Sequence, residues 1–369
     1  MEIFKILCIS LYEGGKYIVT GKFDYESFWY KCIRVNIIYT KFFQAIAINN
    51  VVHNIPYIED EIMYPSVPFS KIVGSGLISI IFEGTVDGKT VIIKTKRKNI
   101  ENRVCNSLYS IYKVLSVLNW FYSIPSLTIA YHEIKDIFLT QLDFCQEGEN
   151  HTKFKSLFIN HPSINIPTLI ECTKDQIIMT KVEGVLLNSL SYDQKQRCIG
   201  HLTDLIIHSL FKGFIHGDLH AGNILFDVNS IGIIDFGFMI QLTTKERDLF
   251  VDIFKSFVLL EFQKAAIQTM EFVEPKSILD SLSPDIRIDI QHFIIHTYKV
   301  ATQVNHCFSA YDMVEITNKL TPHGLCLSPL FSKMAISLHS VESVLAALSA
   351  SPSDVMIHTV LSMVSDKLD

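Results

Sequence analysis

Apolar residues change spacing along this chain, and the change divides it into a strand-rich part and a helical part. Residues 1–70 are mixed and partly helical, with Pro65 and Pro68 punctuating their end. From Lys71 to Lys96 the pattern reads strand, turn, strand. The segment IVGSGLISIIFEGTV is β-rich, Asp87-Gly88 is a hairpin turn signal, and TVIIKTK is the returning strand. Residues 100–140 are apolar and helical in pattern, with a break near Pro125. Leu142 to Phe158 carries charged and apolar residues at helical spacing, and Pro162 and Pro167 flank a loop. QIIMTKVEG then reads as a strand leaving into a turn at Gly184. Ser191 to Phe211 predicts an amphipathic helix with Leu202, Leu205, Ile206 and Leu210 on one side. Gly213 to Leu242 reads as a strand or turn, the cluster HGDLHAGN, a short hairpin, and an apolar strand running into Asp235-Phe236-Gly237. Beyond Leu242 the pattern is almost wholly helical. The expected class is α+β, with an N-terminal helical extension over 1–70, a β-rich lobe over 71–184 that includes a helical insert at 99–140, and a helical lobe over 185–369.

Composition narrows the function classes. Of 369 residues, 49% are apolar and 19% charged, so a large core is easily filled. A net charge of −6 argues against a general nucleic-acid binder, which would carry a basic face. Eight cysteines are scattered without a C-x-x-C pair, which argues against zinc or a redox motif and for a reducing compartment. The N-terminus has an early acid and lacks the apolar core and small-residue end of a secretory signal, and it is too acidic and Arg-poor for a mitochondrial leader. Val114 to Tyr131 is uncharged but holds Asn119, three serines and Pro125, so it reads as a buried or interfacial helix–turn segment rather than a membrane span. The expectation is an intracellular protein, cytoplasmic or peripheral to a membrane, with the apolar insert at 105–131 as the surface that would contact lipid.

The strongest chemical signal is the pair of clusters around Asp218 and Asp235. In HGDLHAGN, Asn223 follows Asp218 by five residues, and Asp235 follows Asp218 by seventeen. A catalytic loop of the form H-x-D-x-x-x-x-N has this spacing in phosphoryl transfer. There Asp218 would orient or deprotonate the acceptor, and Asn223 and Asp235 would hold Mg²⁺, which takes hard oxygen ligands. His216 would brace the loop, and His220 would touch phosphate or acceptor, or simply fill space. The two histidines do not make a helical H-E-x-x-H motif and no cysteine pair lies near, so zinc hydrolysis is the poorer reading.

Other positions complete an ATP site of this kind. Gly74-Ser75-Gly76 would let backbone N–H groups approach phosphate, although a pair of glycines in a hairpin usually marks only a turn. Lys94, in the strand context VIIK, would contact the α- and β-phosphates; Lys96, Arg97 and Lys98 beside it make a solvated cationic strand end the alternative. Glu147 is the carboxylate candidate to hold Lys94, with Glu149 the local competitor. Gly148 between them is unexpected in a helix, at a cost of about 1 kcal/mol relative to Ala. Met179 to Val182 would form the hinge against adenine, with Met179 at the back of the pocket or plainly in the core. A strand-rich half followed by a helical half suits a bilobal protein-kinase-like fold.

With these residues assembled, the chain resembles the UbiB/ADCK family of atypical kinases, linked to coenzyme Q and other isoprenoid-lipid metabolism. That family's catalytic loop reads close to HADPHPGN, and here it is HGDLHAGN; its metal motif is a DFG before a hydrophobic stretch ending in Leu, here IDFGFMIQL. Its helical glutamate lies in an LDFRREA-like segment, and LDFCQE places that residue at Glu147. A long insert between lysine and glutamate is a family trait and accounts for the 53-residue gap from Lys94. The family's K-x-G-Q motif, which folds over the active site, corresponds to Lys41-Phe42-Phe43-Gln44, with Phe43 in place of the glycine. The family's alanine-rich loop corresponds to Val73-Gly74-Ser75-Gly76, closer to an ordinary phosphate loop. The resemblance implies an ATP- and Mg²⁺-dependent kinase or ATPase. A small-molecule phosphotransferase of the aminoglycoside or choline kinase type, whose loop is also close to HGDLHAGN, and a nucleotide-binding pseudokinase regulator are the alternatives.

Overall fold

The computed structural model describes residues 2–20, 62–122, 135–227, 229–304 and 310–350, with Phe28, Tyr131 and six positions between 31 and 38. Lys41, Gln44 and the break expected near Pro125 lie outside the described residues. The chain divides into two compact units, one of residues Met1–Gly148 and Leu169–Lys181, the other of Glu149–Thr168 and Val182–Asp369.

The first unit opens with helix α1 (Glu2–Thr20) and is built on a five-stranded antiparallel sheet of β1 (Phe69–Ser75), β2 (Ser79–Val86), β3 (Lys89–Lys96), β5 (Leu169–Cys172) and β6 (Gln176–Thr180), in the order β1-β2-β3-β6-β5. Alternation sorts the sheet's residues onto two faces. Ile80, Phe82, Val91, Ile93 and Ile178 pack together, while Ile177, one residue away, joins Leu77, Ile78, Ile100, Val104, Phe138 and Phe144 in a separate cluster. The β2–β3 turn is Asp87-Gly88, both at positive φ (50° and 74°), the geometry whose twist suits a two-residue hairpin. The stretch expected as one β-rich run, 72–86, is two strands. β1 and β2 are separated by a tight tip at Gly76–Ile78, closed by the Gly76 N–H donating to Ser79 O at 2.8 Å.

Helix α2 (Ile100–Tyr122) follows β3, and α3 (Phe144–Leu157) comes later in the chain. Asp143 starts α3, accepting from the Gln146 N–H at its side chain (3.0 Å) and from the Glu147 N–H at its carbonyl (3.0 Å). The division between the units falls within α3, after Gly148. A Cβ on Gly148 would lie 2.6 Å from Cys172 Sγ of β5, so only glycine lets helix and strand approach this closely. That is the reason for a residue that helix propensity alone disfavours.

In the second unit, β4 (Ile164–Asn165), β9 (Ile231–Ile233) and β8 (Ile224–Phe226) form one small sheet, and β7 (Phe214–His216) pairs with β10 (Met239–Gln241). Helix α4 (Tyr192–Lys212) begins with a capping box between Ser191 and Gln194 and ends at Gly213 in the left-handed conformation (φ 65°). Its Leu202 and Leu205 enter a core with Phe154, Phe214, Ile224, Phe226, Ile233 and Phe236. After Leu242 come α5 (Thr244–Val258), α6 (Phe262–Met270), α7 (Lys276–Ser281), α8 (Pro284–Val304), α9 (Ala310–Leu320) and α10 (Pro329–Ala347). The helical expectation there misses one feature: β11 (Val273–Glu274) pairs with β12 (Cys326–Leu327), two strands too short to leave an alternating signature. Among the described residues no helix is long and apolar enough to cross a membrane.

Candidate functional site

In the first unit, β3 carries Lys94 between Ile81 of β2 and Ile177 of β6. Its Nζ donates to Glu147 Oε1 at 2.6 Å and lies 5.5 Å from the centre of the Phe144 ring. Lys94 is 7% exposed and Glu147 3%, so both charges are withdrawn from water. Glu149, two residues further along the helix, is exposed. A buried ion pair gains little over a well-packed apolar pair, yet removing one partner costs roughly 3–5 kcal/mol because the other charge is stranded. Lys96 is also buried and donates to Glu101 at 2.8 Å, while Lys98 is exposed.

The glycines of the β1–β2 tip have no steric or conformational demand on them from the protein itself. Neither Gly74 nor Gly76 has a positive φ, and an added Cβ would meet nothing closer than 3.4 Å at Gly74 or 3.6 Å at Gly76. By contrast Gly84, Gly217 and Gly232 would each clash at 2.5 Å. The Ser75 hydroxyl accepts from Arg97 Nη2 at 2.7 Å, and Gly76 O accepts from Arg97 Nε at 3.0 Å. Met179 sits within β6, opposite Ile92 and Leu169, with its side chain 4% exposed. Val182 belongs to the second unit, where its Cγ1 would be 2.5 Å from a Cβ placed on Gly232.

In the second unit the residues around Asp218 and Asp235 come together through a buried neutral histidine. β7 delivers His216, 2% exposed, whose Nδ1 accepts from the Asp218 N–H at 3.2 Å. The proton therefore sits on Nε2, which donates to Asp235 O at 2.7 Å. Burial holds this imidazole below its ordinary range, with the Asp235 carbonyl acting in the other direction. Ser337 Oγ donates to His216 O at 2.8 Å and fixes the strand from behind. Asn223 Nδ2 donates to Asp218 O at 2.9 Å, so the amide oxygen is the end that a cation would take. Asp235 Oδ1 accepts from the Gly237 N–H at 2.9 Å, which sets the carboxylate at the start of the turn after β9. Gly222 packs on the His220 ring, whose Nδ1 accepts its N–H at 3.0 Å.

Phe236 locks this turn in place. It is 1% exposed, stacks on His151 at 4.3 Å, and has Phe154 at 5.8 Å and His216 at 6.4 Å. Asn150 Nδ2 donates to Phe236 O at 3.1 Å, and His151 Nε2 bonds Pro167 O at 2.8 Å. Asn150 and His151 are the residues that sequence reasoning passed over, and Arg97, read there as part of a solvated strand end, is buried. Asn150 and His151 follow Glu147 by three and four positions, a spacing that puts them on one flank of a helix. The Asp218, Asn223 and Asp235 region is thus assembled within the second unit, and the Lys94–Glu147 pair with the glycine tip within the first.

A family model for the ABC1 atypical kinase-like domain matches residues 69–271. An uncharacterized protein in the hydrogenase 1 5' region of Clostridium pasteurianum is 32% identical over 181 residues, covering 45% of this chain and 34% of that protein. A protein of Actinobacillus pleuropneumoniae named "Probable protein kinase UbiB" is 23% identical over 256 residues, 59% of this chain and 46% of the relative. The chain spans between a third and a half of the length of these two relatives. Among solved structures, the Rv3197–erythromycin complex from Mycobacterium tuberculosis has the same fold at a TM-score of 0.50, with 16% identity over 78% of this chain and 76% of that one.

Proposed function

This chain belongs to the ABC1 atypical kinase-like family, and from that premise we propose that it binds Mg-ATP and transfers the γ-phosphoryl group as a kinase or ATPase. In this reading Lys94, held by Glu147, contacts the α- and β-phosphates. The Gly74-Ser75-Gly76 tip lies against phosphate, and Met179 and Val182 flank the adenine. Asp218 takes the acceptor's proton or orients it while the acceptor oxygen bonds to phosphorus and ADP leaves. Asn223 Oδ1 and an Asp235 oxygen hold Mg²⁺, which when bound neutralises charge on the phosphate oxygens.

The donor set suits that ion. An amide carbonyl and a carboxylate, both half-buried, are hard oxygen ligands, and Mg²⁺ usually takes only one or two carboxylates beside phosphate and water. Among the described residues no group of three or more His, Cys, Asp or Glu side chains is placed to hold a metal without such help. The observation that carries the reading is the 2.6 Å Lys94–Glu147 pair, sealed from water in the β3 and helix context of a kinase lysine and its glutamate. Stability alone would be served as well by apolar side chains, so the retained charges call for a ligand that uses them.

For the acceptor we extend the resemblance to an isoprenoid or phenolic lipid. Tyr109 and Tyr112, exposed on α2, supply an apolar surface suited to a membrane boundary, and sedimentation with liposomes tests it. The activity itself is tested by Mg-dependent ATP turnover, with and without such head groups, in the wild type and in Asp235→Asn. The expected result is turnover that the substitution abolishes. Equal turnover in the variant would remove Asp235 from its role, and no nucleotide binding by the wild type would end the reading.

A further inference from the structure

Helix α3 and strand β5 meet at a thiol. Cys172 Sγ, on β5, rests against the first turns of α3, where it donates to Phe144 O at 3.1 Å. A Cβ on Gly148 would lie 2.6 Å from that sulfur and 3.1 Å from Cys172 Cβ. Cys145 comes between these two contact points along the helix. It precedes Gly148 by three residues, a spacing that makes two positions neighbours on a helix surface, about 5–6 Å apart at Cβ. The second thiol is therefore rooted beside the place where the first one rests.

Both cysteines are free thiols, and they differ in access: Cys145 is exposed and Cys172 half-buried. Burial pushes the Cys172 thiol up to about 11, and the Cys145 charge acts next in the same direction. Cys172 is thus kept as a thiol, and an oxidant in solution meets Cys145 first. A disulfide asks for Cβ atoms about 3.5–4.5 Å apart. The first turn of a helix, which frays most readily, is where the remaining adjustment is made. The product suits the site, because a disulfide leaves no charge between α3 and β5.

We propose that Cys145 and Cys172 form a thiol–disulfide site oxidised by hydroperoxides. The Cys145 sulfur attacks the outer oxygen of the peroxide, the O–O bond breaks, and the thiol's proton leaves with the other oxygen as alcohol or water. Cys145 then carries a sulfenic acid. The Cys172 sulfur attacks Cys145 Sγ, the S–S bond forms and the S–O bond breaks, and hydroxide leaves with the Cys172 proton as water. Two thiols lose two electrons in all, and one hydroperoxide gains them. The bond ties the helical turn that carries Glu147, two residues beyond Cys145, to β5. The site stands apart from the Mg-ATP reading, whose failure would leave it untouched.

The test treats the full chain, reduced and then freed of reductant, with hydrogen peroxide, and reads the products by mass spectrometry of tryptic peptides without reduction. Trypsin separates the two thiols, since residues 136–153 contain Cys145 as their one cysteine and residues 156–174 contain Cys172 as theirs. The expected product is these two peptides joined, in monomeric protein, and released by dithiothreitol. In Cys172→Ala, dimedone should label Cys145 as a sulfenic acid. In Cys145→Ser, Cys172 should alkylate as a thiol after peroxide as it does before. Oxidised wild type should melt about 3–5 °C above reduced wild type, the rise expected for closing a loop of this size in a chain this long. Hydrogen exchange over residues 144–148 should slow with it, and Cys145→Ser should show neither change. A wild type whose two cysteines stay unlinked, link only between molecules, or pair with other cysteines overturns the proposal. So does a sulfenic acid trapped on Cys172 in Cys145→Ser with none on Cys145 in Cys172→Ala. Should Cys172→Ala not fold, the wild type and Cys145→Ser, changed only at an exposed position, decide the matter.

Discussion

The two units hold their chemical groups by opposite means. In the first, Lys94 and Glu147 are 53 residues apart and kept together by charge in a dry environment. In the second, Asp218, Asn223 and Asp235 lie within eighteen residues and are held by hydrogen bonds that each have a backbone partner, through His216, the Asn223 amide and the Gly237 N–H. The first arrangement fails as a unit when one partner is lost, because the remaining charge has no water to turn to. The second has a backbone partner in each of these bonds, and an Asn in place of Asp235 keeps an oxygen for the Gly237 N–H.

The contrast is broken most severely at Glu147. Glu147→Gln should destabilise the protein by about 3–5 kcal/mol in urea unfolding, and Lys94→Met by a similar amount. The Lys94→Met/Glu147→Leu pair should recover most of that loss without recovering ATP turnover. A double variant as unstable as the singles would mean that packing rather than charge sets the cost. Asp235→Asn, on the other side of the comparison, should shift stability by less than about 1 kcal/mol while turnover falls by at least about a hundredfold. Asn keeps an oxygen for the Gly237 N–H, and calorimetry beside the turnover assay reads both quantities.

Gly148→Ala ranks next. Helix propensity favours alanine by about 1 kcal/mol. A methyl 2.6 Å from Cys172 Sγ should outweigh that and give a net loss of about 1–3 kcal/mol, relieved by adding Cys172→Ala. A Gly148→Ala variant more stable than wild type would show that the helix and β5 part easily.

The smallest effect is pH dependence through His216. Its folded pKa is lowered by burial, so the unfolded chain binds the proton more readily. The stability tied to the neutral ring is therefore present above the unfolded value of about 6.5 and is lost as pH falls below it. Unfolding free energy between pH 8 and 5 should fall more steeply in the wild type than in His216→Asn, and parallel curves would exclude His216 as the source.

These differences also mark what could be read from sequence. Runs of β-branched and aromatic residues in β2, β3 and β6 and the Asp87-Gly88 turn announce the sheet, because burial of the strands and positive φ leave local signatures. The α+β class and the catalytic-loop spacing are equally local. Arg97 is not, because it sits in a run of three cations that looks solvated. Arg97 is buried with its Nε bonded to Gly76 O, and Lys96 lies buried over the Phe144 ring, while Lys98 stays exposed. Gly148 reads as a weak point until Cys172 is seen beside it. Asn150 and His151 gain meaning only through Phe236, more than eighty residues later. Lys41 and Gln44 fall outside the described residues.

The central claim is that charges kept out of water in one unit and oxygen ligands fixed by backbone in the other serve a magnesium-bound nucleotide. Thermal denaturation with ATP, measured with and without Mg²⁺, tests it most directly. The account expects ATP to raise the melting temperature strongly when Mg²⁺ is present, and Asp235→Asn to lose the metal-dependent part of that rise while keeping the rest. A wild-type shift that is the same without the metal, or absent altogether, would contradict it.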